Sequence, residues 1–441
     1  MKNLLCAIGV FAMIGAGLVV GTTTAAAAPY GITPVEAQRA AVAGTPDYYS
    51  PRDGVYFNNP YGTYYDKYPI INEVSRTIDS VPRGSKIRMA VYSFTREDTA
   101  AKVIAAYKRG VAIQILVDSH SKEYPGTQQL MKVLGTNKKK ASFITWCKQS
   151  CMSSQESLMH AKLYLFTRAG DTSLVSMVGS GNISTSPTSQ AWNNMVTMTN
   201  NKTLYDSNVR YFNDMLKDKS WSNYYRTTES SYYKEYFFPR TWSKDSDSML
   251  TVLNGVDCKA RPAPGYGDSR GRTVVKVGMY AWTYGRNNLA KKLVSLKSQG
   301  CNVEVTYSGE RVDAAIIKTL LTRTTKGVIP VYNGRLKADY DTPYMHHKNV
   351  LINGVYYGNT ANKAVYTGTA NFTNNTQREC NEIMLRIGRN DFYDQFDANY
   401  NLIRDNYTKK VTTTKGAMHA DGVQKLRLNS DAESDYQLFG D

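Results

Sequence analysis

Two short phrases in this chain carry the same chemically active residues. Met159-His160-Ala161-Lys162 is followed by the small-residue turn Gly179-Ser180-Gly181-Asn182. Met345-His346-His347-Lys348 is followed by Gly368-Thr369-Ala370-Asn371. The chain has only 5 histidines, and His160 and His346 hold the same place in matching phrases. A neutral imidazole can attack phosphorus, and an imidazolium can protonate a departing alcohol. Lys162 and Lys348 supply fixed positive charge, while Ser180, Asn182, Thr369 and Asn371 supply neutral donors that bind and orient phosphate oxygens. These are the parts of a phosphodiester-cleaving site in which lysines do the electrostatic work of a metal. No dense carboxylate run suggests a cation site, so no metal and no cofactor are expected.

The elements around the phrases repeat as well. Lys86 to Thr95 reads as a strand ending in an aromatic-rich turn, and Val274 to Tyr280 with Ala281-Trp282-Thr283-Tyr284 matches it. Asp98 to Arg109 has helical spacing, with Val103, Ile104 and Tyr107 on one stripe, and Gly110 stops it. Asn288 to Gln299 and Gly300 are its counterparts. Apolar strands follow at Val111 to Val117 and at Cys301 to Tyr307. The phrases themselves fall on later strands, Leu158 to Thr167 with Ser173 to Val178, and Lys348 to Ile352 with Val355 to Thr367. Strand side chains alternate, so His160 and Lys162 share a face, as do His346 and Lys348, while His347 points away. Strands alternating with helices imply an α/β fold. The expectation is two similar α-β-α sandwich halves related by a pseudo-twofold axis, with the active site at their interface.

A doubled His-x-Lys, each followed by Gly-Ser/Thr-x-Asn, resembles the phospholipase D superfamily. The resemblance covers roughly residues 65 to 405. The family motif continues to an Asp five positions after the lysine, and here Thr167 and Asn353 stand there. The resemblance implies that this loss weakens support of the motif loop more than the reaction. It also implies that a carboxylate shortly after the motif Asn orients the histidine of the other half. Glu382 matches that position in the second copy and Asn194 in the first, so the implied pairs are His160 with Glu382 and His346 with Asn194. Glu379 is a rival with a poorer offset. A carboxylate raises the basicity of its imidazole and an amide does not. His160 is therefore expected to be the nucleophile, and His346 the general acid and then base.

The bulk composition sets the setting. Residues 1–28 read as a signal peptide: Lys2, an apolar run from Leu4 to Gly21, then small residues through Ala28. A secreted, extracellular protein is expected. Residues 29–64 form a lead-in, 65–215 the first half, 216–270 a Tyr-, Ser- and Lys-rich insert or linker, 271–410 the second half and 411–441 a loose tail. A net charge of +17 suits an anionic partner. Export makes disulfides plausible, and Cys147 and Cys151 are spaced to close a local loop. His120, just past a strand end, reads as a surface histidine or a pocket-rim residue, and Tyr92, Phe94, Tyr280 and Trp282 as cleft or core residues. Tyr340 to Met345 reads as a lip able to meet lipid. The expected function is a phospholipase D-type phosphodiesterase that takes a phospholipid membrane surface or micelle to phosphatidic acid and alcohol through a phosphohistidine. Transfer of the phosphatidyl group to other alcohols is the accompanying expectation. The alternative is a non-specific nuclease acting on nucleic acid with the same site. A site completed within one chain predicts a monomer.

Overall fold

The computed structural model describes residues 49–153, 157–185, 189–240, 246–337 and 342–412. The signal-peptide reading of residues 1–28, most of the lead-in and nearly all of the tail, with His419, lie outside them. Among the described residues no helix is long and apolar enough to cross a membrane.

The first half is built on strands β1 (Gly54–Phe57), β2 (Lys86–Val91), β3 (Ala112–Asp118), β4 (Phe143–Cys147), β5 (Lys162–Ala169) and β6 (Thr172–Gly179). The short β7 (Ala191–Trp192) and then β8 (Asn194–Met198) follow. Seven of them form one sheet in the order β1-β8-β6-β5-β2-β3-β4. The parallel part, β2-β3-β4, holds the strand-helix-strand unit, and the antiparallel part holds the first motif. The second half repeats the plan with β11 (Val274–Met279), β12 (Asn302–Tyr307), β13 (Val331–Asn333), β15 (Lys348–Tyr356), β16 (Asn359–Gly368) and β17 (Ile383–Ile387). β9 (Arg226–Ser230), β10 (Tyr233–Phe237) and β18 (Lys409–Val411) widen that sheet to nine strands, while β14 (Tyr344–Met345) pairs in parallel with β7.

Three expectations change here. The insert is no mere linker, because β10 pairs with β17 through five registered residues, Tyr233 to Phe237. The lead-in supplies an edge strand, β1 against β8. The helix after β2 runs Glu97–Lys108 and buries Thr99, Ala100, Val103 and Ala106, with Tyr107 exposed. Val103 and Ile104 pack on the core as expected, while the buried positions run through Thr99, Ala100, Val103 and Ala106 at spacings of three and four, which leaves Tyr107 outside. Gly110 ends it at φ +92, a left-handed position that suits a residue without Cβ.

Each sheet packs its outer face against helices of its own half. The inner faces meet in one core, where Leu163, Leu165, Val178 and Val196 join Leu351, Val365, Ile383 and Leu385. Helices Lys202–Met215 and Asn390–Tyr407 cover the flanks of that core. Two α-β-α halves thus face each other across a shared apolar seam, a mixed α/β fold. Cys147 is bonded to Cys151, and Cys258 to Cys301, while Cys380 is a buried thiol.

The motif Asp positions are filled by side chains that still tie down backbone. Thr167 Oγ1 accepts from the Lys86 amide at 2.8 Å, and Asn353 Oδ1 from the Gly267 amide at 2.9 Å.

Glu235 of β10 is a buried acid away from the motifs. One oxygen accepts from Asn208 Nδ2 at 2.7 Å, and the other finds no partner among the described residues. Burial pushes its pKa from 4.5 up to about 8. Between those values the folded state holds a proton that the unfolded chain releases, so stability falls as pH rises. Glu235→Gln keeps the shape without titrating. It should stabilise the fold by on the order of 2–4 kcal/mol at pH 8 and by little at pH 4, read as Tm in the two buffers.

Candidate active site

Both motifs meet where the halves are stitched together. β7 and β14 pair Ala191 with Tyr344 and Trp192 with Met345, and the His346 amide donates to the Trp192 carbonyl at 3.0 Å. His346 is therefore hung from the first half by its own backbone. His160 stands just before β5, where Asp118 Oδ2 accepts from the Met159 amide at 2.8 Å.

The two small-residue turns are near copies. Gly179 and Gly368 end β6 and β16. A Cβ on Gly179 would lie 2.4 Å from the Asn194 carbonyl oxygen, and one on Gly368 2.2 Å from that of Ile383. Only glycine permits those approaches. The Ser180 and Thr369 amides then donate to the Asn194 and Ile383 carbonyls, each at 2.9 Å. Ser180 Oγ donates to Asn193 Oδ1 at 2.8 Å and accepts from the Asn194 amide at 3.1 Å. Thr369 Oγ1 donates to Glu382 and accepts from the Ile383 amide at 2.9 Å.

The histidine partners cross between halves. His160 Nδ1 lies 2.8 Å from Glu382 Oε1. His346 Nδ1 lies 2.8 Å from Asn193 Oδ1, not from Asn194. The Asn194 side chain instead donates to Asn349 and accepts from Thr367 within the seam. The correction is a one-residue slip, which in extended chain sends a side chain to the opposite face. Asn193 is the residue whose offset from Asn182 matches that of Glu382 from Asn371, so counting from the motif itself marks it. Glu379 accepts from Ser153 and is not the partner of His160.

Lys162 Nζ and Lys348 Nζ donate back to the His160 and His346 carbonyls at 2.9 and 2.8 Å. Each lies over a tyrosine, Lys162 5.1 Å from the Tyr92 ring and Lys348 4.9 Å from Tyr280. The same rings stand beside the histidines, at 5.2 Å for Tyr92–His160 and 4.4 Å for Tyr280–His346. Tyr344 is buried against Tyr280 and His346 rather than forming a lip; Tyr340 lies outside the described residues. Asn371 Oδ1 accepts from the Ala281 amide at 3.3 Å, while its amide nitrogen has no acceptor among the described residues. Asn182 is buried beside its turn.

Charge and burial act together here. Both histidines sit well below the ordinary imidazole pKa, first through burial and then through Lys162 and Lys348. His160 itself contributes to the shift on His346, so the two imidazoles share one field. Burial pushes Glu382 up to about 8, against the opposing pull of Lys162. A phosphate anion placed between these groups would relieve the crowding of positive charge and favour protonation of an imidazole.

Other histidines sort differently. His120 is not a plain surface residue. Its Nδ1 faces Asp118 Oδ1 at 2.8 Å, and its ring lies 4.0 Å from Tyr92 on the flank of the His160 side. No spacing marked it, because nothing in the second half repeats it. His347 faces Asn349 and Phe57, and burial lowers it to about 3. Lys138 is exposed, its ammonium donating to the Leu216 carbonyl. Among the described residues no three His, Cys, Asp or Glu side chains cluster as metal ligands would.

The family described as "Cardiolipin synthase, PLD-like domain" matches residues 76–216 and 270–403. No curated protein matches the chain. Among solved structures, phosphatidylserine synthase from Haemophilus influenzae is similar over 79% of this chain and 87% of its own, with a TM-score of 0.53 and 12% identity. Polyphosphate kinase from Porphyromonas gingivalis is similar over 80% of this chain, with a TM-score of 0.51 and 14% identity. The chain spans half the length of that kinase. At such identities the likeness is one of fold.

Proposed function

The chain belongs to the phospholipase D superfamily, and from that premise we propose a secreted, monomeric, metal-independent phosphodiesterase that cleaves glycerophospholipid to phosphatidic acid and an alcohol. The observation that carries the reading is the crossed pairing of His160 with Glu382 and His346 with Asn193. The Asn193 oxygen, and the Glu382 carboxylate once it is ionised, hold a proton at each Nδ1 and leave each Nε2 free for chemistry.

In the proposed reaction Lys162, Lys348 and the side-chain amides of Asn182 and Asn371 bind the non-bridging oxygens. Ser180 and Thr369, expected to do the same, instead use their hydroxyl protons to hold Asn193 and Glu382. His160 Nε2 forms a bond to phosphorus as the P–O bond to the leaving alcohol breaks. His346, protonated beside the bound anion, gives its proton to that oxygen. It then takes a proton from water, whose oxygen displaces His160 from phosphorus and yields phosphatidic acid. An acceptor alcohol in place of water gives transfer of the phosphatidyl group instead. The description of the matching family names a cardiolipin synthase, which supports a lipid substrate.

The charge of +17 supports the second reading, a nuclease. One assay separates them. The mature protein, in chelator, is offered phosphatidylcholine vesicles or plasmid. Choline release without nicking is the expected result, with no loss on chelation. Nicking that fades steeply with added salt, without choline release, selects the nuclease.

A further inference from the structure

The family match stops at residue 216 and resumes at 270, so β9, β10 and helix Ser248–Asn254 are additions peculiar to this stretch. Together with β15, β16 and β17 they line an open cavity of about 490 Å³. Tyr236, Tyr356 and Tyr366 contribute neighbouring rings, and the last two hydroxyls bond each other at 2.7 Å. Three cations line the same space. The Arg240 guanidinium is stacked 4.3 Å over Tyr225 and donates to Ser248 at 2.8 Å. Lys234 and Arg386 share Glu229, at 2.9 and 3.2 Å. One carboxylate thus answers two of the cations, and Arg240 is steadied by a ring and a hydroxyl. Asn362 also lines the cavity, and its buried Oδ1 has no hydrogen-bond partner among the described residues.

We propose that this cavity is a second ligand site, separate from the catalytic cleft, for a phosphorylated ring polyol. The volume suits a small ligand, since such sites run to about 300–1,000 Å³. Tyrosine faces offer flat contact to a sugar or cyclitol ring. Arginine guanidinium groups match phosphate oxygens. The remaining lining is hydroxyl and amide, from Ser248, Thr251 and Asn362 among others, and it complements the several hydroxyls of a polyol. A nucleobase would leave most of these groups unpaired, and an acyl chain all of them.

The cavity also has a useful place. β16 runs from Tyr366 directly into the Gly368 turn, and β17 runs from Glu382 outward to Arg386. Four residues of strand span about 13 Å, so a ligand held at Arg386 sits along the same strand line as Glu382, which orients His160. The polyol phosphate can come from a lipid headgroup or from a free sugar phosphate.

Calorimetry on the full chain tests the site with inositol 1-phosphate, myo-inositol and inorganic phosphate. Inositol 1-phosphate should bind with a Kd below about 1 mM and at least about tenfold more tightly than either fragment. His160→Ala should retain that binding, which separates the cavity from the catalytic cleft and from the proposed reaction. Arg240→Gln/Arg386→Gln should weaken it about tenfold or more, with an unchanged Tm to show that the variant folds. Tyr236→Leu gives the same reading if the double variant does not fold. Vesicles of phosphatidylcholine with and without phosphatidylinositol then assign the source: selective sedimentation with the latter marks a headgroup, and its absence marks the free phosphate. No binding of inositol 1-phosphate, binding untouched by the cavity variants, or binding lost in His160→Ala would overturn the proposal.

Discussion

His160→Ala should lower turnover about 10⁴-fold or more, and in His346→Ala the phosphorus of a radiolabelled diester should stay attached to His160. The reasoning is geometric. Glu382 Oε1 sits 2.8 Å from His160 Nδ1 and fixes which ring nitrogen faces the substrate. Glu382 is itself held by Thr369, whose position is set by the Gly368 turn. Among the described residues no carboxylate stands beside His346, where Asn193 supplies a neutral oxygen. The more basic imidazole is the better nucleophile, and the other is left to carry a proton. Removing His346 takes away both the acid for the leaving alcohol and the base for water. With a nitrophenyl ester, whose leaving group needs no acid, the phosphohistidine should therefore form and persist long enough to isolate. The quench must be alkaline, since a phosphorus–nitrogen bond to imidazole is labile in acid. Label on His346, retained in His160→Ala, reverses the assignment.

What the sequence announced was local. His160 and Lys162, His346 and Lys348, and the two glycine turns are each defined within a few residues, so spacing exposes them. The strand-helix-strand units were legible for the same reason, since apolar alternation and Gly110 act over single elements. Pairing across the chain was not. β10 joins β17 over a long separation, and no feature of Tyr233 to Phe237 states its neighbour. The β7–β14 stitch involves two residues a side, too few to show a period. Asn194 for Asn193 is the instructive slip. The side-chain period of a strand is two, and an error of one residue swaps the cleft for the seam. His120 stayed hidden because its meaning comes from Asp118 and Tyr92, which only folding brings beside it.

The pH profile should report Glu382 directly. Burial holds its proton up to about pH 8. While protonated, the carboxyl donates to His160 Nδ1, so the ring proton moves to Nε2 and the lone pair needed for attack is gone. Once ionised, it accepts Nδ1–H and frees Nε2. kcat/KM should therefore climb with pH, half-risen near pH 8 and level above it. Glu382→Gln leaves an oxygen for Nδ1–H but nothing to titrate. The acid limb should then drop to that of His160, which burial and Lys162 place below the ordinary imidazole value. The plateau should fall about 10- to 100-fold, the usual cost of losing a partner that orients and polarises a functional imidazole. Asn193→Asp makes the converse change. A carboxylate set against His346 would stabilise its imidazolium and move the alkaline limb upward, with the acid limb unchanged. If the limb near pH 8 survives in Glu382→Gln, the titrating group lies elsewhere and the crossed pairs do not divide the two roles.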